Sequence, residues 1–188
     1  IAEQVGAFAA KLHPTNADPD RDEAQALLEC LWTFEEQRIV NMPLLKKVFQ
    51  AEEQRVREAS SRTLGHWAER VEDWEETLLT AARDEGALVR AEAVKAAVEF
   101  PAGTVPAEVI FEVAVRPLDP EMETVLSYAR KNINVDQIVQ EAVKSGKPLS
   151  KAAQQYALRN ASVDDLINMK PTEAVYLAIL SRNNAKAN

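Results

Sequence analysis

The stretch from Val56 to Trp67, VREASSRTLGHW, returns 33 residues later as Val89 to Phe100, VRAEAVKAAVEF, with the same Val-Arg opening. Its apolar or small positions Val56, Ser60, Thr63, Leu64 and Trp67 become Val89, Ala93, Ala96, Ala97 and Phe100. The spacing i, i+4, i+7, i+8 and i+11 is one face of an α-helix. The next step forward reaches Met122, Leu126, Ala129, Arg130 and Ile133; a step back reaches Glu23, Leu27, Cys30, Leu31 and Phe34. Four helices therefore share one register, with Glu23 and Arg130 as its misfits. One helical hairpin leaves an apolar flank uncovered, so a chain of this pattern is expected to stack its hairpins.

A first helix recurs with the same period. Leu44, Leu45, Val48 and Phe49 correspond to Thr77, Leu78, Ala81 and Ala82, and then to Ile110, Phe111, Ala114 and Val115. The regular hairpins run over about 41–67, 74–100 and 107–133. Ahead of them, Ile1, Val5, Phe8, Ala9 and Leu12 share a face of a helix over 1–12, and HPTNADPDRD breaks it. Asp20 or Asp22 starts the helix carrying Leu27, Leu28, Leu31 and Trp32, which completes a hairpin over about 1–34. Asn41 is placed as an N-cap, with Pro43 in the first turn where its missing N–H costs nothing.

Beyond Ile133 the period shortens. A shift of 27 places Leu149, Ala153, Tyr156 and Ala157 on the face of Met122, Leu126, Ala129 and Arg130. The preceding helix spans 135–145, ended by Gly146 with Pro148 just after, giving a compact hairpin over 135–160. SVDDLINM (162–169), with Ser162 as N-cap, and PTEAVYLAILS (171–181), with Pro171 at its start, form a last pair over 162–182. The polar end SRNNAKAN is expected to fray. The nine prolines all fall at boundaries or first turns of this scheme. The fold class expected is all-α: a single helical-repeat array over 1–188, wound as a right-handed α-α superhelix of stacked hairpins.

Composition fits that class. Five glycines and 6% aromatic residues are too few for the tight turns of a sandwich or barrel. The net charge of −8, with no basic stretch interleaved with aromatics, argues against a nucleic-acid partner. The acidity belongs to residues 1–100, with 20 acids against 12 bases, while 101–188 hold 10 of each. Apolar stretches fall short of the ~20 residues that span a bilayer, so membrane insertion is not expected. Cys30, the one cysteine, lies in the apolar register and reads as a buried thiol that fixes no compartment. Opening at Ile1 with neither an initiator Met nor a signal sequence, the chain reads as a fragment of a larger protein.

The tetratricopeptide pattern W-x2-L-G-x2-Y is missing, as is the ankyrin T-P-L-H-x-A. EEQRVREAS (52–60) and EGALVRAEA (85–93), an acidic residue before a Val-Arg that opens the second helix, resemble the HEAT repeat in its short, phycobilisome-lyase-like variety. The resemblance covers 41–133 well and 8–34 and 134–182 loosely. LLECLWTFEEQRIVN, LLKKVFQAEEQRVREASSRTLGHWAERV and LVRAEAVKAA also resemble the HEAT region of large exported bacterial proteins that couple a dehydrogenase-like β-propeller to a c-type haem domain. That resemblance implies an extracytoplasmic scaffold positioning such domains. The haem motif C-x-x-C-H is missing here, so neither haem nor dehydrogenase activity transfers to any residue.

Chemistry is sparse. His13 and His66 are the only histidines, which leaves no H-E-x-x-H and no metal-spaced cluster, only His66 with Glu69 at i+3. No G-x-S-x-G elbow or phosphate-cradling Gly-rich loop occurs. The expectation is a non-catalytic scaffold with no cofactor or metal, binding a protein or peptide on its concave face or positioning neighbouring domains of the same chain. Two sets of residues stand out. Glu52, Arg57, Glu85 and Arg90 recur in register and form a candidate inter-repeat ladder, in which an arginine bridges a carboxylate to loop carbonyls of the next repeat. Glu69, Glu72, Asp73, Glu75 and Glu76 crowd one turn between Trp67 and the helix after Trp74. They repel unless Arg70, a cationic partner or a divalent ion offsets them. The ladder predicts that Arg90→Ala lowers the melting temperature with the far-UV helical spectrum intact below it; an unchanged melting temperature would point to an exposed binding role.

Overall fold

A computed structural model describes residues 1–15, 22–160, 162–169 and 171–186, and among them the chain is all-α with no strand. It divides into two compact units, Ile1–Pro101 and Ala102–Asn188.

The first unit holds α1 (Ala2–Ala9), α2 (Glu23–Glu36), α3 (Met42–Val48), α4 (Gln54–His66), α5 (Glu75–Arg83) and α6 (Ala87–Glu99). Side-chain caps start two of them: the Asp22 carboxylate accepts from Gln25 N at 2.8 Å and Asn41 Oδ1 from Leu44 N at 3.1 Å. Asp20, the other candidate cap, lies outside the described residues. Helices α1 and α2, α3 and α4, and α5 and α6 pack as successive pairs, and the second helices α2, α4 and α6 lie side by side. Every register position of α4 and α6 is buried, from Val56 to Trp67 and from Val89 to Phe100. In α2, Leu27, Cys30, Leu31 and Phe34 are buried as well; burial pushes the Cys30 thiol above its ordinary pKa, with the Glu29 charge adding to it. The misfit Glu23 is buried too, and its carboxylate accepts the backbone N–H of His13 at 2.7 Å.

Small residues set how close α4 and α6 come. A Cβ on Gly65 would lie 3.1 Å from both Cα and Cβ of Ala96, so the two helices touch nearly backbone to backbone. Near the other end of the contact, a Cβ on Gly86 would run into the Gln54 side chain. Neither glycine needs a left-handed backbone; each is there for proximity.

The N-terminal helix departs from expectation. It ends at Ala9, and its face buries Ala9 and Leu12 but leaves Ile1 and Phe8 largely exposed. Its main packing is on α2, which covers one flank of an amphipathic helix.

The second unit holds α7 (Thr104–Ala114), α8 (Pro120–Asn132), α9 (Val135–Ser145), α10 (Lys151–Asn160), α11 (Val163–Ile167) and α12 (Glu173–Lys186). Helix α7 is its centre and buries Pro106, Ala107, Val109, Ile110, Phe111, Val113 and Ala114. Helices α8, α9 and α10 all pack on it, α10 most extensively. The contact is tied at both ends. Ser150 Oγ donates to Glu108 Oε2 at 2.8 Å, and Arg159 Nη1 donates to the carbonyls of Ala114 and Val115 at 3.4 and 3.2 Å. Helices α7 and α10 therefore run in the same direction. Gly146, at φ 69°, ends α9 in the left-handed region as its sequence position requires. The misfit Arg130 stands over the ring of Tyr156 at 5.5 Å, a cation–π contact at a place where the other helices of the register carry small or apolar side chains. At the C-terminal end α12 runs from Glu173 through Lys186.

If the α4–α6 approach is as tight as Gly65 implies, Gly65→Val overpacks it and lowers the urea-unfolding free energy by about 1–3 kcal/mol. Gly65→Ala stays near neutral, because a helix-propensity gain of about 1 kcal/mol offsets the crowding. Equal stability of the valine variant would contradict the contact.

Candidate functional site

The ladder residues stand where α3, α4, α5 and α6 meet. Arg57 is buried in the first turn of α4. Its Nη1 donates to the carbonyls of Ala51 and Glu52, 2.8 and 2.7 Å away in the loop that precedes its own helix. Its Nε and Nη2 reach the next hairpin and donate to Asp84 Oδ2 and Oδ1 at 2.8 and 3.0 Å. Asp84 caps the end of α5, and its Oδ1 also accepts Gly86 N at 2.7 Å. One guanidinium thus joins two successive inter-helix loops through a forked pair, the strongest geometry available to it. The hydrogen bond to Asp84 holds the Arg57 pKa above its ordinary value, against the cost of burial.

The structure adds to the carboxylates named from the sequence one that was not, Asp84. Glu52 contributes its backbone carbonyl, and the Glu85 carboxylate lies 3.6 Å from Arg57 Nη2 with its side chain 91% exposed, a separation at which solvent screens most of the attraction. Asp84, one residue earlier, is the partner. The direction is reversed too: the arginine takes the carbonyls of its own hairpin and the carboxylate of the next.

Arg90 repeats half of this arrangement. Its Nη1 donates to the carbonyls of Asp84 and Glu85 at 2.9 and 2.7 Å, as Arg57 does to Ala51 and Glu52. One period beyond Asp84 the residue is Pro117, which offers no carboxylate. The Arg57–Asp84 fork therefore has no counterpart at that register position.

The acidic turn holds Glu69, Glu72, Asp73, Glu75 and Glu76, all exposed, with Asp73 at φ 53°. Arg70 does not offset them. Its Nη1 donates to the Arg38 carbonyl at 2.7 Å, tying the end of α4 to the turn after α2. Beneath the turn Trp74 stacks on Phe100, ring centroids 4.0 Å apart and 20° from parallel, and Trp67 is fully buried, its indole N–H without an acceptor among the described residues. Glu75 and Glu76 occupy the first turn of α5, where the helix dipole favours negative charge. No group of three or more His, Cys, Asp or Glu among the described residues is placed to hold a metal ion.

His66 has a partner the sequence did not indicate. Its Nδ1 contacts Glu35 Oε1 on α2, and Glu35 Oε2 accepts Thr63 Oγ1 at 2.9 Å, so Glu69 at i+3 is not involved. His66 also lines a shallow groove of about 540 Å³ along α4 and α6, with Arg62, Gly65, Ala68, Glu69, Glu92, Lys95, Ala96 and Glu99. Glu92 is buried in its wall between Lys95 Nζ at 2.7 Å and Arg62 Nε at 3.5 Å. Glu69 and Glu99 have no ion pair among the described residues. The groove carries both signs of charge over a floor of glycine and alanine, and it has no nucleophile poised beside a base.

No family model matches the chain, and neither the curated proteins nor the solved structures provide a match. No helix among the described residues is long and apolar enough to cross a membrane.

The Arg57–Asp84 pair generates a quantitative expectation. Arg57→Ala removes the forked pair on the partly buried Asp84 and lowers stability by about 3 kcal/mol, more than Arg90→Ala. A double-mutant cycle with Asp84→Ala recovers coupling of more than about 1 kcal/mol. Additive losses would show that the two side chains do not cooperate.

Proposed function

We propose that the chain is a non-catalytic scaffold of the HEAT-like type, a right-handed superhelix of hairpins that binds a protein or peptide partner on the face formed by its second helices. The observation that carries this reading is the row α2, α4, α6, with the α4–α6 groove opening on it. Helices α4 and α6 approach to glycine–alanine distance, while the first helices of successive pairs make no comparable contact. A stack tightened on one side bends towards that side, which makes the second-helix face the concave one. Its donors and acceptors alternate: Arg62, His66 and Lys95 with Glu69, Glu92 and Glu99. Such a surface suits a polypeptide better than a single small anion or cation, because a polypeptide presents charges of both signs along its length. The partner is a separate protein or a neighbouring domain of the same polypeptide; the scaffold serves either in the same way.

The test is a short-peptide array probed with the 188-residue chain. Wild type is expected to retain a defined subset of peptides. Reversing the two unpaired groove carboxylates, Glu69→Lys with Glu99→Lys, should leave the melting temperature unchanged and weaken that subset by about tenfold. Retention of no peptide, or an identical pattern for the variant, would contradict the reading.

A further inference from the structure

The second unit holds a cleft of its own, of about 500 Å³, between α9, α10 and α11. One wall is a continuous stripe of α9: Asp136, Val139, Gln140, Val143 and Lys144, at i, i+3, i+4, i+7 and i+8. Eight residue rises from Asp136 to Lys144 make the stripe about 12 Å long, the reach of about four extended residues. Helix α10 supplies Tyr156, Ala157 and Asn160 to the cleft, and Met169 lines it beyond α11. The volume is in the range of binding clefts.

The two ends of the stripe differ in charge. One end carries the Asp136 carboxylate, near Tyr156, whose ring lies under Arg130 and whose pKa is raised by burial first, with the Arg130 charge lowering it and the Asp136 charge adding to the rise. At the other end Lys144 has no ion pair among the described residues, and the same holds for Lys147 and Lys151 in and after the turn that follows. All three are exposed. The one acid on the last turns of α9, Glu141, accepts from Gln137 Nε2 at 2.7 Å. Three lysines against the single charge of Glu141 leave this lip net positive, while Asp136 keeps the other end of the stripe negative.

Carboxamides line the space between the ends. Asn160 and Asn168 each donate one N–H to a carbonyl of their own helical segment, at 2.9 and 2.8 Å, which leaves Oδ1 of each to accept. Gln140 has both amide functions uncommitted among the described residues. Acceptors and donors alternating with the apolar patches of Val139, Val143 and Met169 match the alternation of an extended main chain. They match an acyl chain poorly, since it would leave each amide without a partner.

We propose that this cleft is a binding site for an extended peptide segment that places an apolar side chain against Val139, Val143 and Met169 and an acidic group at the Lys144 lip. The site shares with the scaffold reading only the chemical class of the partner, and it stands whether or not the α4–α6 groove binds anything.

The test uses the whole chain and a fluorescein-labelled peptide of alternating leucine and glutamate, with an otherwise identical leucine–lysine peptide beside it. Fluorescence anisotropy is expected to show saturable binding of the glutamate peptide alone. Lys144→Glu should weaken it by about tenfold, and Val143→Asp should abolish it at unchanged melting temperature. Glu69→Lys in the first unit should leave it unaffected, which separates this site from the α4–α6 groove. The proposal is overturned if the glutamate peptide does not bind, if the lysine peptide binds equally well, or if Lys144→Glu has no effect. Saturation of the cleft by decanoate without peptide binding would assign it to an amphiphile and overturn the proposal as well.

Discussion

The first unit depends on the near-contact of α4 with α6. Gly65 meets the backbone of Ala96 at one end, and Arg57 grips Asp84 beside the loops at the other. The two devices complement each other. Backbone-to-backbone proximity maximises dispersion contact between the helices, yet glycine and alanine alone fix no register along the axis. The forked guanidinium supplies the register, because its donors fit one carboxylate in one position. With two loops and two helices joined through a single side chain, an error in one hairpin is carried to the next.

Longer ties recur within each unit. Lys47 Nζ donates to the carbonyls of Ala9 and Ala10 at 2.8 and 3.3 Å, Arg70 to the carbonyl of Arg38, and Arg159 to those at the end of α7. In each case a cation of a later element caps carbonyls at or just past the end of an earlier helix, where the dipole is negative and the last C=O groups lack intrahelical partners. The shared logic coexists with different packing in the second unit, where α10 lies along α7. The shortened spacing after Ile133 and the cation at Arg130, turned over Tyr156, accompany that change.

Much of the fold was legible because it rests on periodicity. Most positions spaced 33 apart are buried, including Cys30, Ser60 and Thr63, while Phe49, Val115 and Arg130 are half-buried. Caps at Asp22, Asn41 and Gly146 were readable for the same local reason. Partners were not. Asp84 and Glu85 are neighbours, and only the end of α5 turns the shorter side chain onto Arg57; Glu35 meets His66 across 31 positions, with no signal in either segment. The cleft of the second unit was likewise hidden, since its stripe on α9 reads as an ordinary amphipathic face until the space opposite is seen to be unfilled. Exposure of Ile1 and Phe8 could not be read either, because a face pattern names the apolar side of a helix without saying what covers it.

Native-state hydrogen exchange on the intact chain tests the central claim most directly. If hairpins in the first unit lend each other their interior, the slowest amides of α4 and α6 open together, with one free energy that Arg57→Ala lowers by the same amount for both. Amides of α6 that keep their protection while α4 opens freely would show that each hairpin stands by itself, and the account would fail.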